Sequence, residues 1–276
     1  VFPILIDFGT VTLPLVGEVH LFLPTYGFLF ASAVLLAWFW FQSRARIVGV
    51  PDDHSFNMSF YSVLAGVAGA KLLLILVDWR DYLRHPAEIL GTLRAGGVLL
   101  GGVLAGAVTF TYYVRKHELP FLKLVDAAAA PLALAQSIGR LGCFSAGCCW
   151  GVETSSSAAL AVTFTDPVAH QQTGVPLGIP LVPVQLIQSL HDMALCLFLT
   201  LLWRRRPRPD GTVFWTYVLL YSIGRGTIEL WRGDAGRGLY FGGLLSTSQL
   251  LGIAGILLAV VMLVRGGLQR RASAAR

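Results

Sequence analysis

The chain has 276 residues, of which 55% are hydrophobic and only 13% charged, about half the charged share of an ordinary soluble domain. That balance excludes a soluble globular protein and reads as an integral membrane protein. A net charge of +6 calls for no nucleic acid, because basic residues that flank spans and face anionic lipid head groups account for it.

In chain order, residues 1–23 are apolar but broken by Asp7, Gly9, Pro14 and Glu18, which fits an interfacial arm better than a span. No cleavable signal peptide with a basic leading segment is visible. Seven windows then have the length and polarity of spans, at about 24–42, 57–78, 97–114, 125–148, 182–203, 211–231 and 246–264, each near the roughly 20 apolar residues that a bilayer core demands. No internal repeat and no linker interrupts them. The expectation is a single membrane domain over residues 1–276, an all-α bundle of seven transmembrane helices.

The basic residues orient that bundle. One set of loops holds Arg44 and Arg46, then Arg115, Lys116 and Lys123, then Arg204, Arg205, Arg206 and Arg208, then Arg265, Arg270, Arg271 and Arg276; the alternate loops hold only Arg80, Arg84, Arg94, Arg232 and Arg237. Basic residues collect on the cytoplasmic side, so the amino end is expected outside and the carboxyl end inside.

Lys71, Arg140 and Arg225 fall inside or at the ends of the windows. Ionisable groups there are costly and usually face a bundle interior or a wet cavity. Lys71, in GVAGAKLLLILVDW, either snorkels from near the outer end of its helix or is structurally paired there, or else it holds a ligand. Arg140 opens the run RLGCFSAGCCWG, and Gly139, Gly142, Gly147 and Gly151 suggest that the helix breaks there; the alternative is a tightly packed glycine helix whose arginine bonds carbonyls. Tyr221, Arg225, Glu229 and Arg232, in YSIGRGTIELWR, share one face at about 3.6 residues per turn. Glu229 can hold either arginine and lower the cost of burying it, and a purely structural ion-pair ladder is the alternative. Two arginines on different helices, both in the outer half of the membrane, suit bidentate capture of a lipid phosphate.

These residues resemble the prolipoprotein diacylglyceryl transferases over nearly the full length. The likeness runs through Tyr26-Gly27, then GAK at Gly69 to Lys71, then Gly96-Gly97 with Gly101-Gly102. It continues through Asp126 ahead of Arg140, GRLG and its later glycines, Pro183 and Gln185 in VPVQLIQ, and YSIGRGTIELWR. The resemblance implies a bacterial inner-membrane enzyme that moves the diacylglyceryl group of phosphatidylglycerol to the lipobox cysteine of a prolipoprotein, among membrane lipids. It implies that Arg140 and Arg225 are catalytic, stabilising charge on the leaving glycerol phosphate. Tyr26, Lys71, Cys143, Gly147, Gly151, Gln185, Tyr221, Glu229 and Arg232 are then expected to line the site or position the lipid. A related protein with the same lipid cavity but another acceptor, or one that only binds and moves lipid, is the alternative; a transporter would need an inverted repeat, and none is visible.

The chain departs from the family pattern at several positions. Cys143 and Cys148 stand where Asn and Glu are common, Leu100 where some members carry a histidine taken as base, and Val182 and Gln188 where His and Glu are common. A thiol acceptor is already partly ionised at neutral pH, and Tyr26, Glu229 or the lipid phosphate remain open as proton acceptors. Cys196 reads as a buried thiol. Cys143, Cys148 and Cys149 are expected to be small side chains packed beside the lipid cavity, with a disulfide or a nucleophilic cysteine as alternatives. Metal binding has little support, since no matching His or second Cys pair appears at useful spacing, and no cofactor is expected. His20 reads as a structural or interfacial residue, and His191-Asp192 as a polar helix contact.

Overall fold

The computed structural model describes residues 2–13, 17–85, 97–158, 160–205, 208–234 and 238–274. Its N-terminal arm departs from the expected all-α fold. Strands β1 (Ile4–Leu13) and β2 (Gly17–Pro24) pair antiparallel, with Thr10 opposite His20. The residues that interrupt the apolar run make a register shift: Gly9 takes a left-handed φ of +78° and donates its N–H to Asp7 Oδ1 at 2.8 Å. His20 pairs with Asp7 at 3.1 Å across the strands, while Phe2, Phe8 and Phe22 stay exposed. Strand β2 runs straight into helix α1 (Thr25–Ile47), whose first residue is tied back by Thr25 N–H donating to Pro3 O at 3.0 Å and by its hydroxyl donating to Phe2 O. Pro14, at the expected interruption of the arm, lies outside the described residues.

Among the described residues the remaining helices are α2 (Asp52–Val77), α3 (Trp79–Arg84), α4 (Leu99–Lys116), α5 (Phe121–Ala146), α6 (Pro167–Thr173), α7 (Val184–Arg204), α8 (Thr212–Ile228) and α9 (Thr247–Ala274). Each expected window falls on a helix, but among the described residues only Thr25–Ile47, Asp52–Val77, Phe121–Ala146, Val184–Arg204 and Thr247–Gln269 are long and apolar enough to cross a membrane. The windows at 97–114 and 211–231 fall on α4 and α8, of 18 and 17 residues, roughly 26 Å each at 1.5 Å per residue. The expected helix break among the glycines around Arg140 is displaced: α5 runs through Gly139 and Gly142 and stops only at Gly147, with φ +75°.

By contact the chain divides into two units, Phe41–Leu124 and the pair of segments Val1–Trp40 with Val125–Arg276. Within the first, Arg46 in the last turn of α1 meets Asp52, the first residue of α2, at 2.5 Å. Acidic Asp52 and Asp53 also suit the positive end of α2. Helices α2 and α4 cross on glycines. A Cβ at Gly101 would enter the Gly69 carbonyl and Leu73, and one at Gly69 would enter Ala105 and the Gly101 carbonyl. In lipid there is little hydrophobic gain from bringing helices together, so this close backbone approach supplies the dispersion contact that holds them. The GAK and GG segments thus have a packing reason, independent of any ligand. Gly96 lies outside the described residues.

In the second unit, α5, α7 and α8 are tied by polar contacts. Buried Asp126 on α5 accepts from the N–H groups of Gly211 at 3.0 Å and Phe214 at 2.9 Å, and from Arg208 Nη1 at 2.6 Å. It thereby caps the first turn of α8, satisfying donors that have no partner within the helix. Ser137 and Ser189 each donate a hydroxyl to the other's carbonyl at 2.9 Å, and Tyr217 donates to Gln136 Oε1 at 2.9 Å. Between α5 and α7 the chain builds a small polar-backed lobe. Strands β3 (Val162–Thr163) and β4 (Pro180–Leu181) pair antiparallel, and α6 is capped by Asp166, with Phe164, Ala169, Val175 and Leu181 as its core. A third pair, β5 (Leu239–Tyr240) and β6 (Leu245–Ser246), precedes α9.

The α2–α4 crossing gives a direct test. Gly101→Val is expected to prevent recovery of folded protein or to lower the thermal midpoint in detergent sharply, since backbone on both sides cannot yield. Gly267→Ala, where a Cβ meets open space, should leave the midpoint unchanged or slightly raised. Equal midpoints for the two variants would sink this account of the crossing.

Candidate functional site

Three arginines converge on one cavity in the second unit. Its walls are Arg140 from α5, Val184, Gln185 and Gln188 from the start of α7, Arg225 and Ile228 from the end of α8, and Cys149 and Arg232 from the segments that follow α5 and α8. Helix α8 supplies its residues in sequence: it tightens into a 3₁₀ turn at Glu229–Trp231 and then extends at Arg232. Tyr221, Arg225 and Glu229 therefore share the expected face, while Arg232 leaves the helix and bridges Gly151 backbone to backbone.

Glu229, 2% exposed, binds Arg225 Nη1 through Oε2 at 2.5 Å and lies 3.6 Å from Arg232 Nη1. Arg232 makes a two-point contact with Asp234, Nε to Oδ1 at 2.8 Å and Nη2 to Oδ2 at 2.5 Å. Arg225 and Arg232 side chains are only 11% and 13% exposed, where an unpaired charge costs several kcal/mol. Arg140 differs. It hydrogen-bonds the Tyr221 hydroxyl and feels Asp192 and the thiols of Cys143 and Cys149 through space, but among the described residues no carboxylate pairs with it directly. The cavity therefore carries a cation whose full counter-charge is not supplied by a contacting acid.

The thiols form a second feature of the same wall. The sulfurs of Cys143, Cys148 and Cys149 lie within 4.8 Å of one another, all half-buried. Cys149, with φ +58°, takes a left-handed conformation uncommon for a residue other than glycine. Its thiol is held well below the usual range by hydrogen bonds from Cys143 and Cys148, reinforced by Arg232 and Arg140. Gln185 Nε2 donates to Cys148 O at 2.8 Å and so fixes the strand of chain that carries the thiols.

The expected site residues thus sort by place. Arg140, Arg225, Arg232 and Gln185 line the cavity, and Tyr221 and Glu229 hold its arginines. Tyr26 lies across α5 at Gly142, where an added Cβ would sit 3.2 Å from its ring. Gly151 is a packing position: a Cβ there would enter the Val182 and Trp231 carbonyls. Gly147 makes the turn that ends α5, with its carbonyl accepting from Thr173 Oγ1 at 3.0 Å. Lys71 and Leu100 belong to the other unit, on α2 and α4. Asp192 has more to do than the expected helix contact, because it accepts from Gln188 Nε2 at 2.9 Å and pairs with His191 Nδ1 at 2.9 Å. The signal for it was the charged dipeptide inside an apolar window. Cys149 was legible only as a neighbour of Cys148.

A family model described as prolipoprotein diacylglyceryl transferase matches residues 14–265. The chain is 37% identical over 236 residues to the phosphatidylglycerol–prolipoprotein diacylglyceryl transferase of Clostridium tetani, covering 85% of this chain and 90% of that relative. It is 35% identical over 255 residues to the Clostridium perfringens protein named as the second such transferase, covering 91% and 95%. Against the Synechococcus elongatus transferase the identity is 31% over 245 residues, covering 87% and 82%.

Replacing Glu229 with Gln keeps the volume but removes the anion between two buried cations. The variant is expected to lose about 3 kcal/mol of stability, read as a lower thermal midpoint in detergent; a midpoint within error of the parent would show that the carboxylate is not what holds Arg225 and Arg232.

Proposed function

The chain belongs to the prolipoprotein diacylglyceryl transferase family, and from that premise we propose that it transfers the diacylglyceryl group of phosphatidylglycerol to the lipobox cysteine of a prolipoprotein, releasing glycerol phosphate. The observation that carries the reading is the convergence of Arg140, Arg225 and Arg232 on one cavity. The acceptor thiolate sulfur attacks the glycerol carbon, a carbon–sulfur bond forms as the carbon–oxygen bond to phosphate breaks, and the electron pair leaves on the phosphate. Guanidinium forks fixed at the phosphate oxygens stabilise that charge as it develops. Arg140 and Arg225 are the catalytic pair in this scheme. Tyr221 and Glu229 hold them, Arg232 lines the cavity beside them to position the lipid, and Tyr26, Cys143, Gly147, Gly151 and Gln185 shape or support the wall. Lys71 is assigned to the lipid on the family likeness alone.

The same reading takes the protein as one membrane domain, since the family match runs through residues of both units. It takes α4 and α8 as the two further spans, which makes seven. The basic loops then set the amino end on the periplasmic side of a bacterial inner membrane and the carboxyl end in the cytoplasm. The exposed aromatic residues of the N-terminal hairpin suit the lipid–water interface.

Arg140→Ala and Arg225→Ala are each expected to cut transfer by at least about 10²–10³-fold while leaving the protein folded. Lys at either position should fail nearly as badly, because a point charge cannot make the fork contact. The measurement uses labelled phosphatidylglycerol and a lipobox peptide, with complementation of cells depleted of their own transferase beside it. Near-parental activity in either alanine variant removes the two-arginine mechanism.

A further inference from the structure

From the geometry of the thiol cluster we infer that Cys143, Cys148 and Cys149 form a three-thiolate site for a zinc-class divalent cation, with its fourth coordination position open to the arginine-lined cavity. The three sulfurs already lie within 4.8 Å of one another, and a tetrahedral zinc with Zn–S bonds of about 2.3 Å sets its sulfurs roughly 3.8 Å apart. The cluster needs only a small contraction to close on the ion. Local chain geometry explains how three neighbours in sequence converge. Cys143 sits in the last turn of α5, Gly147 reverses the chain at φ +75°, and the left-handed backbone of Cys149 sets its thiol beside those of Cys143 and Cys148. Gln185 holds the Cys148 carbonyl at 2.8 Å, so the turn is fixed from α7 as well.

Charge and access agree with such an occupant. Three thiolates around a divalent cation carry one net negative charge, and a fourth thiolate brings this to two. Arg140 and Arg232, which act on Cys149, offset that excess. Among the three cysteines only Cys149 lines the cavity, which places the open position on the side of the arginines and not toward lipid. Catalytic zinc sites have this form, three protein ligands and one position for water or substrate.

The site has a use in the reaction proposed above, on which this part of the inference rests. The acceptor cysteine binds the open position as a thiolate and its proton goes to solvent, because metal coordination deprotonates a thiol outright. Its sulfur then attacks the glycerol carbon; the carbon–sulfur bond forms, the carbon–oxygen bond breaks, and glycerol phosphate departs with the electron pair. Activation by the ion supplies what a general base would otherwise do, in a chain with Leu100 where some relatives are expected to carry a histidine.

The test is made on the full-length protein in detergent, isolated without added chelator. Elemental analysis is expected to find one zinc per chain. Exchange with Co²⁺ is expected to give the sulfur-to-cobalt charge-transfer absorption of a thiolate site, and the cobalt bands should shift when a lipobox peptide is added. Cys148→Ser and Cys149→Ser should each lose the metal. Chelation of the parent protein, which needs no variant to fold, should lower kcat/KM by up to about 30-fold, the gap between a fully ionised thiol and one with its ordinary pKa of about 8.5 at neutral pH; added Zn²⁺ should restore it. Metal-free protein with all three thiols open to alkylation overturns the site, and so does a disulfide among them found by mass spectrometry. Metal binding with transfer unchanged by chelation overturns the activating role alone. Metal binding without any transfer from phosphatidylglycerol leaves the site standing and counts against the transferase reading.

Discussion

Burial of guanidinium groups is the constraint from which the second unit is built. An arginine taken out of water must be met by hydrogen-bond acceptors and counter-charge, or the helix that carries it will not stay in an apolar surrounding. Arg225 is met by Glu229 one turn later, and Arg232 by Asp234 on two points with Glu229 beside it. Arg140 is met by the Tyr221 hydroxyl and by sulfur, with Asp192 acting from farther away. The three cations therefore stand in unlike states of compensation: two have a contacting carboxylate, and the one that α5 contributes has, among the described residues, none.

Holding that imbalance in place requires helices that do not shift, and the contacts between α5, α7 and α8 are spread along their length for that purpose. Asp126 ties the start of α8 to α5, the Ser137–Ser189 pair and the Tyr217–Gln136 bond join the middle, and the bridge between Gly151 and Arg232 closes the far end. Val152 N–H donates to the Trp231 carbonyl at 2.8 Å and Val182 N–H to the Val152 carbonyl at 2.9 Å. The segments after α5 and α8 and the entry to α7 are thus laced together just where Cys149, Arg232 and Gln185 are presented. A site carried on tied helices keeps its geometry better than one carried on free loops.

What was legible in the sequence follows from how local each cause is. Tyr221, Arg225 and Glu229 share a face because helical periodicity alone puts them there, and hydrophobic runs mark every long helix for the same reason. Asp126 was visible only through the family likeness, since its task, capping a helix start 85 residues later, leaves no trace in its own neighbourhood. The glycines around Arg140 were read as one break, yet they do different things: Gly142 makes room for Tyr26, Gly147 turns the chain, and Gly151 lets two other strands of backbone pass. The lobe between α5 and α7 was missed because its strands are two residues long, too short for alternation to register. The hairpin of the arm does carry alternation, in residues 10–13 and 18–21, but each stretch is at the short limit for a strand signal and Asp7 and Gly9 interrupt the apolar run before them.

The unequal compensation of the arginines also bears on which of them does what. A phosphodiester brings a single negative charge, while the departing phosphate monoester brings up to two. A guanidinium already shared with a carboxylate, as Arg225 is, binds the incoming diester through its remaining donors but gains less as the second charge appears. Arg140 has no such competitor in contact, so its attraction grows most between the bound lipid and the departing phosphate. Only interactions that strengthen on the way to the transition state accelerate a reaction. On the proposed chemistry, then, both catalytic arginines stabilise the departing phosphate, Arg140 gaining more than Arg225 as the second charge appears, while Arg232 chiefly places the lipid.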